Sequence, residues 1–210
     1  MPLMNDSPYA KAQRHLARRD RVLKRLIAAI GPCTLWHSPD RFGLLVRSIV
    51  SQQISTRAAR AICTRLEAAA GKAGLRPAAL LALPDEALRA AGLSAGKARA
   101  LRDLAEKVHT GVVPLDDLHE LDDEGVIARL IPVRGIGRWT AQMFLIFSLG
   151  RLDVLPVDDF GLRSGIRQQY RLRELPDRRR LEKLAEPWRP YRSVATWYFW
   201  RSLGNVPQSD

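Results

Sequence analysis

Between Leu130 and Phe160 the chain reads LIPVRGIGRWTAQMFLIFSLGRLDVLPVDDF, and most of its chemical content lies there. Gly135, Ile136 and Gly137 form a tight glycine hairpin, followed by an apolar run that reads as a helix. Glycines at such a turn let an anion approach the main chain. The amides at the start of the next helix point at that anion, helped by the helix dipole. Asp158 and Asp159 follow, one helix and a short loop further on. An acid that opens a helix sits where the charged form of a carboxylate is favoured. It can stabilise positive charge developing on a sugar carbon, or orient and deprotonate an attacking water. A phosphate grip coupled to such an acid suits a protein that holds DNA without reading bases and acts on a sugar–base bond. One of the two Asp residues need only be a helix cap. No third acidic or His ligand lies close in sequence, so no metal site is expected.

The elements that must position these groups read as helical almost throughout. Ser38-Pro39-Asp40 opens an apolar-periodic run through Val50. Ser55 caps a helix with Ala59, Ile62 and Leu66 on one face, ended by Gly71. Two short helices break at Pro84. Ser94, Asp122 and Asp177 open further helices, Arg138 to Leu149 follows the hairpin, and Pro190 opens a last one with dense aromatics. The run AGLSAGKARAL at 91–101 looks like a degenerate second hairpin entering a helix. No run alternates with period two for long enough to make a strand. The chain is therefore read as all-α, with about ten helices and short connections. Residues 38–111 form one helical bundle carrying the turn Ser51 to Ser55. Residues 1–37 and 112–210 form a second helical lobe carrying the hairpin and the Asp pair.

Composition narrows the partner. Lys and Arg total 34 against 22 Asp and Glu, a formal charge of +12 on 210 residues. A globular chain this basic favours polyanions, nucleic acid above all. Arginine greatly outnumbers lysine, which suits forked phosphate contacts. Cys33 and Cys63 show no metal-ligand spacing and no disulfide framework, so both are expected to be small core residues. The N-terminal stretch lacks the apolar core of a signal peptide, and no apolar run is long enough to span a membrane. A cytoplasmic, nucleoid-associated protein is expected.

The hairpin, the loop from Gly150 to Pro156 and the following Asp resemble the helix-hairpin-helix DNA glycosylase superfamily. Within it, GIGRWTA, LPVDDFGL and WRPYRS (188–193) are most similar to the 3-methyladenine DNA glycosylase II, or AlkA-type, branch. The resemblance runs from about Arg14 to Gly204. It implies the two-lobed helical HhH-GPD fold with a cleft between the lobes. It implies Asp159 as the catalytic acid, with Asp158 its cap-like neighbour. Gly135, Ile136, Gly137, Arg138 and Thr140 form the phosphate-holding hairpin. Trp139, Phe160 and Trp200 match aromatic pocket positions, and aromatic faces attract the cationic base that alkylation creates. Met143 stands where relatives can carry an aromatic, which loosens the pocket. Trp188 and Trp197 are read as core. Gln53, with Ile54 beside it, falls at the position that enters the gap left by a flipped nucleotide.

Two absences sharpen the branch. Members that cut the strand place a Lys just after the hairpin's G-x-G-R. Trp139 stands there, and indole cannot form an imine, so a monofunctional enzyme without AP lyase activity is implied. No cysteine follows Cys63, which rules out the C-terminal four-cysteine iron–sulfur cluster of other branches. No cofactor is expected, although the family allows a monovalent cation on hairpin carbonyls. The chain begins too close to the helical core to hold the N-terminal β-rich domain of some relatives. The expected partner is double-stranded DNA with a damaged base, and the expected state a monomer. Two other readings stay open: a glycosylase for uracil, hypoxanthine or an oxidised purine, and a non-catalytic DNA-binding module.

Overall fold

A computed structural model of the chain describes residues 8–204; the ends of the expected second lobe, 1–7 and 205–210, lie outside the described residues. Among those described there are twelve α-helices and no strand. In chain order they are α1 (Ala10–Arg19), α2 (Arg21–Ile30), α3 (Arg41–Ser51), α4 (Thr56–Ala70), α5 (Pro77–Ala82), α6 (Asp85–Ala90), α7 (Ala95–His109), α8 (Asp123–Leu130), α9 (Arg138–Phe147), α10 (Phe160–Gln169), α11 (Arg178–Ala185) and α12 (Arg192–Ser202). None of them is long and apolar enough to cross a membrane. Seven helices carry their own cap: Asp20, Asp40, Ser55, Ser94, Asp122, Asp159 and Asp177 each accept from a first-turn amide. Such a cap satisfies one of the donors that a helix start leaves open.

The all-α expectation holds, with two helices more than anticipated. The additional pair is α1 and α2, whose many Arg and Lys residues obscure the periodic Leu16, Leu23, Leu26 and Ile27 that they bury. Asp20 separates them. It caps α2 through the amides of Val22 and Leu23, 2.8 and 3.1 Å from its Oδ1.

The chain divides into two compact units. One is continuous, Ser38–Leu149, and holds α3 to α9. In it α3 packs on α4, α7 and α9, α8 packs on α9, and α5 and α6 pack on α7. The other joins the chain up to His37 with the chain from Gly150 onward. In it α12 is central, against α1, α2 and α10, and every residue from Ser193 to Trp200 is buried. Trp188 and Trp197 are buried here, as their reading as core requires, and so are Cys33 and Cys63 in their respective units.

The expected boundary at 111 is therefore displaced to 149. The hairpin belongs with the middle bundle rather than with Asp159. The cause is α9, which is buried from Thr140 to Phe147 and packs on α3 and α8. An apolar helix with no polar stripe becomes the centre of whichever bundle holds it.

Candidate active site

In the continuous unit, Leu130, Val133 and Ile136 are buried and close the connection between α8 and α9. Val133 donates to the Leu130 carbonyl and Ile136 to that of Val133, both at 3.0 Å. Gly135 makes the turn at φ 80°, and a Cβ there would stand 3.2 Å from the Ala100 methyl of α7. Gly137 differs. It lies at ordinary φ, and a Cβ on it would meet nothing within 4 Å. It is the N-cap of α9 and has no side chain to occupy the first-turn amides. A helix start without a side-chain cap is of the kind that can receive an outside anion.

Two of the expected hairpin groups are engaged within the protein. Arg138 pairs with Glu124 of α8, and Thr140 is buried. Helix α7 supports the loop from behind. Asp103 accepts the Arg134 amide at 2.7 Å and Lys107 at 2.7 and 2.8 Å, and Lys107 donates to the Pro132 carbonyl at 2.9 Å. Burial works against the charge on Asp103, but Lys107 and the Arg134 amide hold its carboxyl below the usual range. The turn expected to enter DNA lies in the same unit, between α3 and α4. Gln53 is exposed there, in the left-handed region at φ 59°, and Ile54 beside it is also exposed.

In the discontinuous unit, Asp159 is only 8% exposed. Its Oδ1 accepts the Leu162 amide at 2.6 Å and the Trp200 indole N–H at 2.8 Å. The expected division of labour within the Asp pair is corrected by this geometry. Asp159 is itself the cap of α10, whereas Asp158 turns outward to Arg178 at 2.9 Å. A single carboxylate can do both because one oxygen suffices for capping.

The approach of Trp200 to Asp159 depends on two glycines of α10 that the motif reading left without a role. A Cβ on Gly161 would lie 3.1 Å from Trp200 Cδ1 and 3.2 Å from Asp159 Oδ1. On Gly165 it would lie 2.8 Å from the Phe199 carbonyl oxygen. Spaced four apart, the two share a face, and α12 comes close along it. Their signal in the sequence was a pair of small residues one turn apart behind the acid. The loop that delivers Asp159 is latched by the WRPYRS motif. Arg192 forks onto the Asp153 carboxylate at 2.8 and 2.9 Å, and Ser193 Oγ donates to the Arg151 carbonyl while accepting the Val154 amide.

The expected pocket residues fall into two groups. Trp139 on α9 is 42% exposed and Phe160 on α10 is 70% exposed, both with apolar surface in water. Trp200 is 4% exposed and its N–H is committed to Asp159. Met143 is buried in α9. The hairpin, the turn at Gln53, Trp139 and Met143 belong to one unit, and Asp159, Phe160 and Trp200 to the other.

Residues 46–190 match the HhH-GPD superfamily of base excision DNA repair proteins, and the chain belongs to that family. It is 36% identical over 197 residues to DNA-3-methyladenine glycosylase 1 of Schizosaccharomyces pombe, covering 91% of this chain and 86% of the relative. The fold is similar to that of the Schizosaccharomyces pombe 3-methyladenine DNA glycosylase in complex with abasic DNA. That match has a TM-score of 0.84 and 34% identity, over 95% of this chain and all of that one. It is also similar to a DNA-3-methyladenine glycosidase from Bacillus halodurans, with a TM-score of 0.82 and 40% identity, over 95% of this chain and 91% of that one.

Proposed function

We propose that the protein is a monofunctional DNA glycosylase that hydrolyses the N-glycosidic bond of alkylated purines, such as 3-methyladenine and 7-methylguanine, in duplex DNA. The observation that carries this reading is the Asp159 carboxylate, fixed at the head of α10 by the Leu162 amide and the Trp200 indole. The names of the similar glycosylases support the same substrate class.

In this reading the amides at Gly137 and the start of α9 hold a phosphate, and Gln53 enters the stack vacated by the flipped nucleotide. A methylated purine is cationic, so the electrons of the breaking C1′–N bond neutralise it and little acid catalysis is needed. Phe160, exposed in the unit that holds Asp159, offers an aromatic face of the kind that attracts such a base, and exposed Trp139 is another such face in its own unit. Asp159 stabilises the positive charge left at C1′ and takes a proton from the water that attacks there. The product is an abasic site in an intact strand, since Trp139 supplies no amine. No cofactor takes part in any step. A monovalent cation at the hairpin would share the Pro132 and Gly135 carbonyls with the Lys107 and Gln52 donors that each already accepts.

The test is base release from alkylated duplex DNA, followed by alkali. The expected result is free 3-methyladenine and 7-methylguanine with strand breaks only after alkali. Equal or faster release of uracil or hypoxanthine would move the substrate class. Tight duplex binding with no base released would leave a binding module.

Two variants probe the supports. Asp103→Ala removes the acceptor shared by the Arg134 amide and Lys107, both within reach of water, costing about 1 kcal/mol. It is expected to weaken duplex affinity about tenfold while the rate at saturating DNA changes little, as titrations of single-turnover rate will show. Gly161→Ala gains about 1 kcal/mol of helix propensity but crowds Trp200 and Asp159. A melting temperature within a few degrees of wild type, with base release slowed about tenfold, is the expected pair of results. An unchanged rate would mean that Trp200 need not approach so closely.

A further inference from the structure

Helix α3 ends at Ser51, and the carbonyls of a last helical turn have no donors within their own helix. Here the Val50 and Gln52 carbonyls converge on Lys97 Nζ, each at 2.7 Å. Lys97 comes from the first turn of α7, which Ser94 caps, in the segment that reads like a second hairpin. A cation at this point also complements the negative end of the α3 dipole. The ammonium is partly withdrawn from water, and that burial lowers its pKa, so the carbonyls are its working partners.

The residue after Gln52 is the exposed Gln53, with a backbone angle disfavoured for any side chain carrying a Cβ. Such a conformation persists when the surroundings impose it. The imposing contacts fall on Gln52. Its carbonyl accepts from Lys97, and its side-chain amide donates to the Gly135 carbonyl of the hairpin at 2.8 Å. On α7, Lys97, Ala100, Asp103 and Lys107 follow one another at helical spacing. Lys97 holds the turn, Ala100 abuts Gly135, and Asp103 and Lys107 hold the hairpin backbone.

We infer that Lys97 is a positioning residue for nucleotide flipping: with Gln52 it fixes the turn bearing Gln53 onto the phosphate-holding hairpin, so that insertion into the base stack and grip on the backbone act as one rigid device. The inference rests on the glycosylase reading. Lys97 touches no substrate, and its effect passes through the shape of the turn.

The experiment compares wild type with Lys97→Met, which keeps the length of the side chain and removes its donors, and with Lys97→Arg, which restores some of them. Flipping is read from 2-aminopurine placed beside the target nucleotide, a signal that does not depend on bond cleavage. Base release is measured in single turnover on a paired lesion and on the same lesion in a single strand. Lys97→Met is expected to lose most of the 2-aminopurine change and to slow release from the paired lesion at least tenfold. Release from the single strand and affinity for undamaged duplex are expected to stay within about twofold, with Lys97→Arg intermediate.

A wild-type flipping signal and paired-lesion rate in Lys97→Met would overturn the inference. So would an equal loss on paired and single-stranded lesions. Should Lys97→Met fail to fold, Gln52→Met cuts the bridge to Gly135 alone and is held to the same pattern with a smaller, about threefold, loss. If wild type itself releases no base, the glycosylase reading fails, and the 2-aminopurine signal still decides the role of Lys97.

Discussion

Asp159→Asn is expected to slow release of 7-methylguanine from alkylated duplex about 1,000-fold while leaving the fold intact. Asparagine is as good a helix cap as aspartate, and its side-chain oxygen can still accept from Leu162 and from the Trp200 indole. The variant therefore removes the charge and spares the scaffold. What is lost is stabilisation of the cationic sugar and a base for the attacking water, each worth about 100-fold or more. Duplex affinity is expected to hold or to rise, because a negative group near phosphates is gone. Single-turnover release, duplex titration and thermal melting on one preparation check all three. Asp159→Ala is a poorer test, since it also removes the cap at about 1 kcal/mol and orphans the indole donor. Retained release in the Asn variant would remove Asp159 from the mechanism.

Asp20→Ala is expected to give the largest loss of stability. One oxygen of Asp20 caps α2, and the other accepts the Trp188 indole N–H at 2.8 Å and the Tyr170 hydroxyl. Burial, with Asp20 adding to it, holds the Tyr170 phenol far above its ordinary range, so it remains a donor at any working pH. Truncation deletes the cap, at about 1 kcal/mol, and strands two largely buried donors at about 1–3 kcal/mol each. A total of about 4 kcal/mol corresponds to a fall of roughly 10 °C in melting temperature for a chain of this length. Tyr170 is the C-cap of α10, the helix whose N-cap is Asp159. Asp20 thus anchors one end of the helix that presents the acid at the other. Asp20→Asn, which keeps the cap, is expected to lose about half as much. A shift of only a degree or two in Asp20→Ala would show that water replaces the carboxylate.

Much of this was legible in the sequence, for a physical reason. Helix starts at Ser55, Ser94, Asp122 and Asp177 are announced by side chains that act on their own neighbours, and the glycine hairpin is equally local. That the Asp pair opens α10 was legible for the same reason, although which of the two caps it was not. What escaped depends on partners distant in the chain. Gln52 meets Gly135, Lys97 meets the end of α3, and Gly165 matters only because Phe199 comes close. The boundary at 149 escaped as well. An apolar run announces that α9 will be buried, but nothing in the run says which bundle will bury it. The engagement of Arg138 by Glu124 belongs to the same kind, since an arginine beside a hairpin looks available until its neighbour on α8 is known.

The unit that holds Asp159 is assembled from both ends of the chain, and this imposes an order on its making. A polypeptide leaves the ribosome from its N-terminus, and domains fold as they are completed. Ser38–Leu149 is whole before Gly150 is added, so the hairpin half can take shape early. By contrast α1 and α2 must keep Leu16, Leu23 and Ile27 waiting for α12, which is made after all of α3 to α11. Trp200 lies near the end of α12, so no nascent chain has a finished acid until that helix has been made.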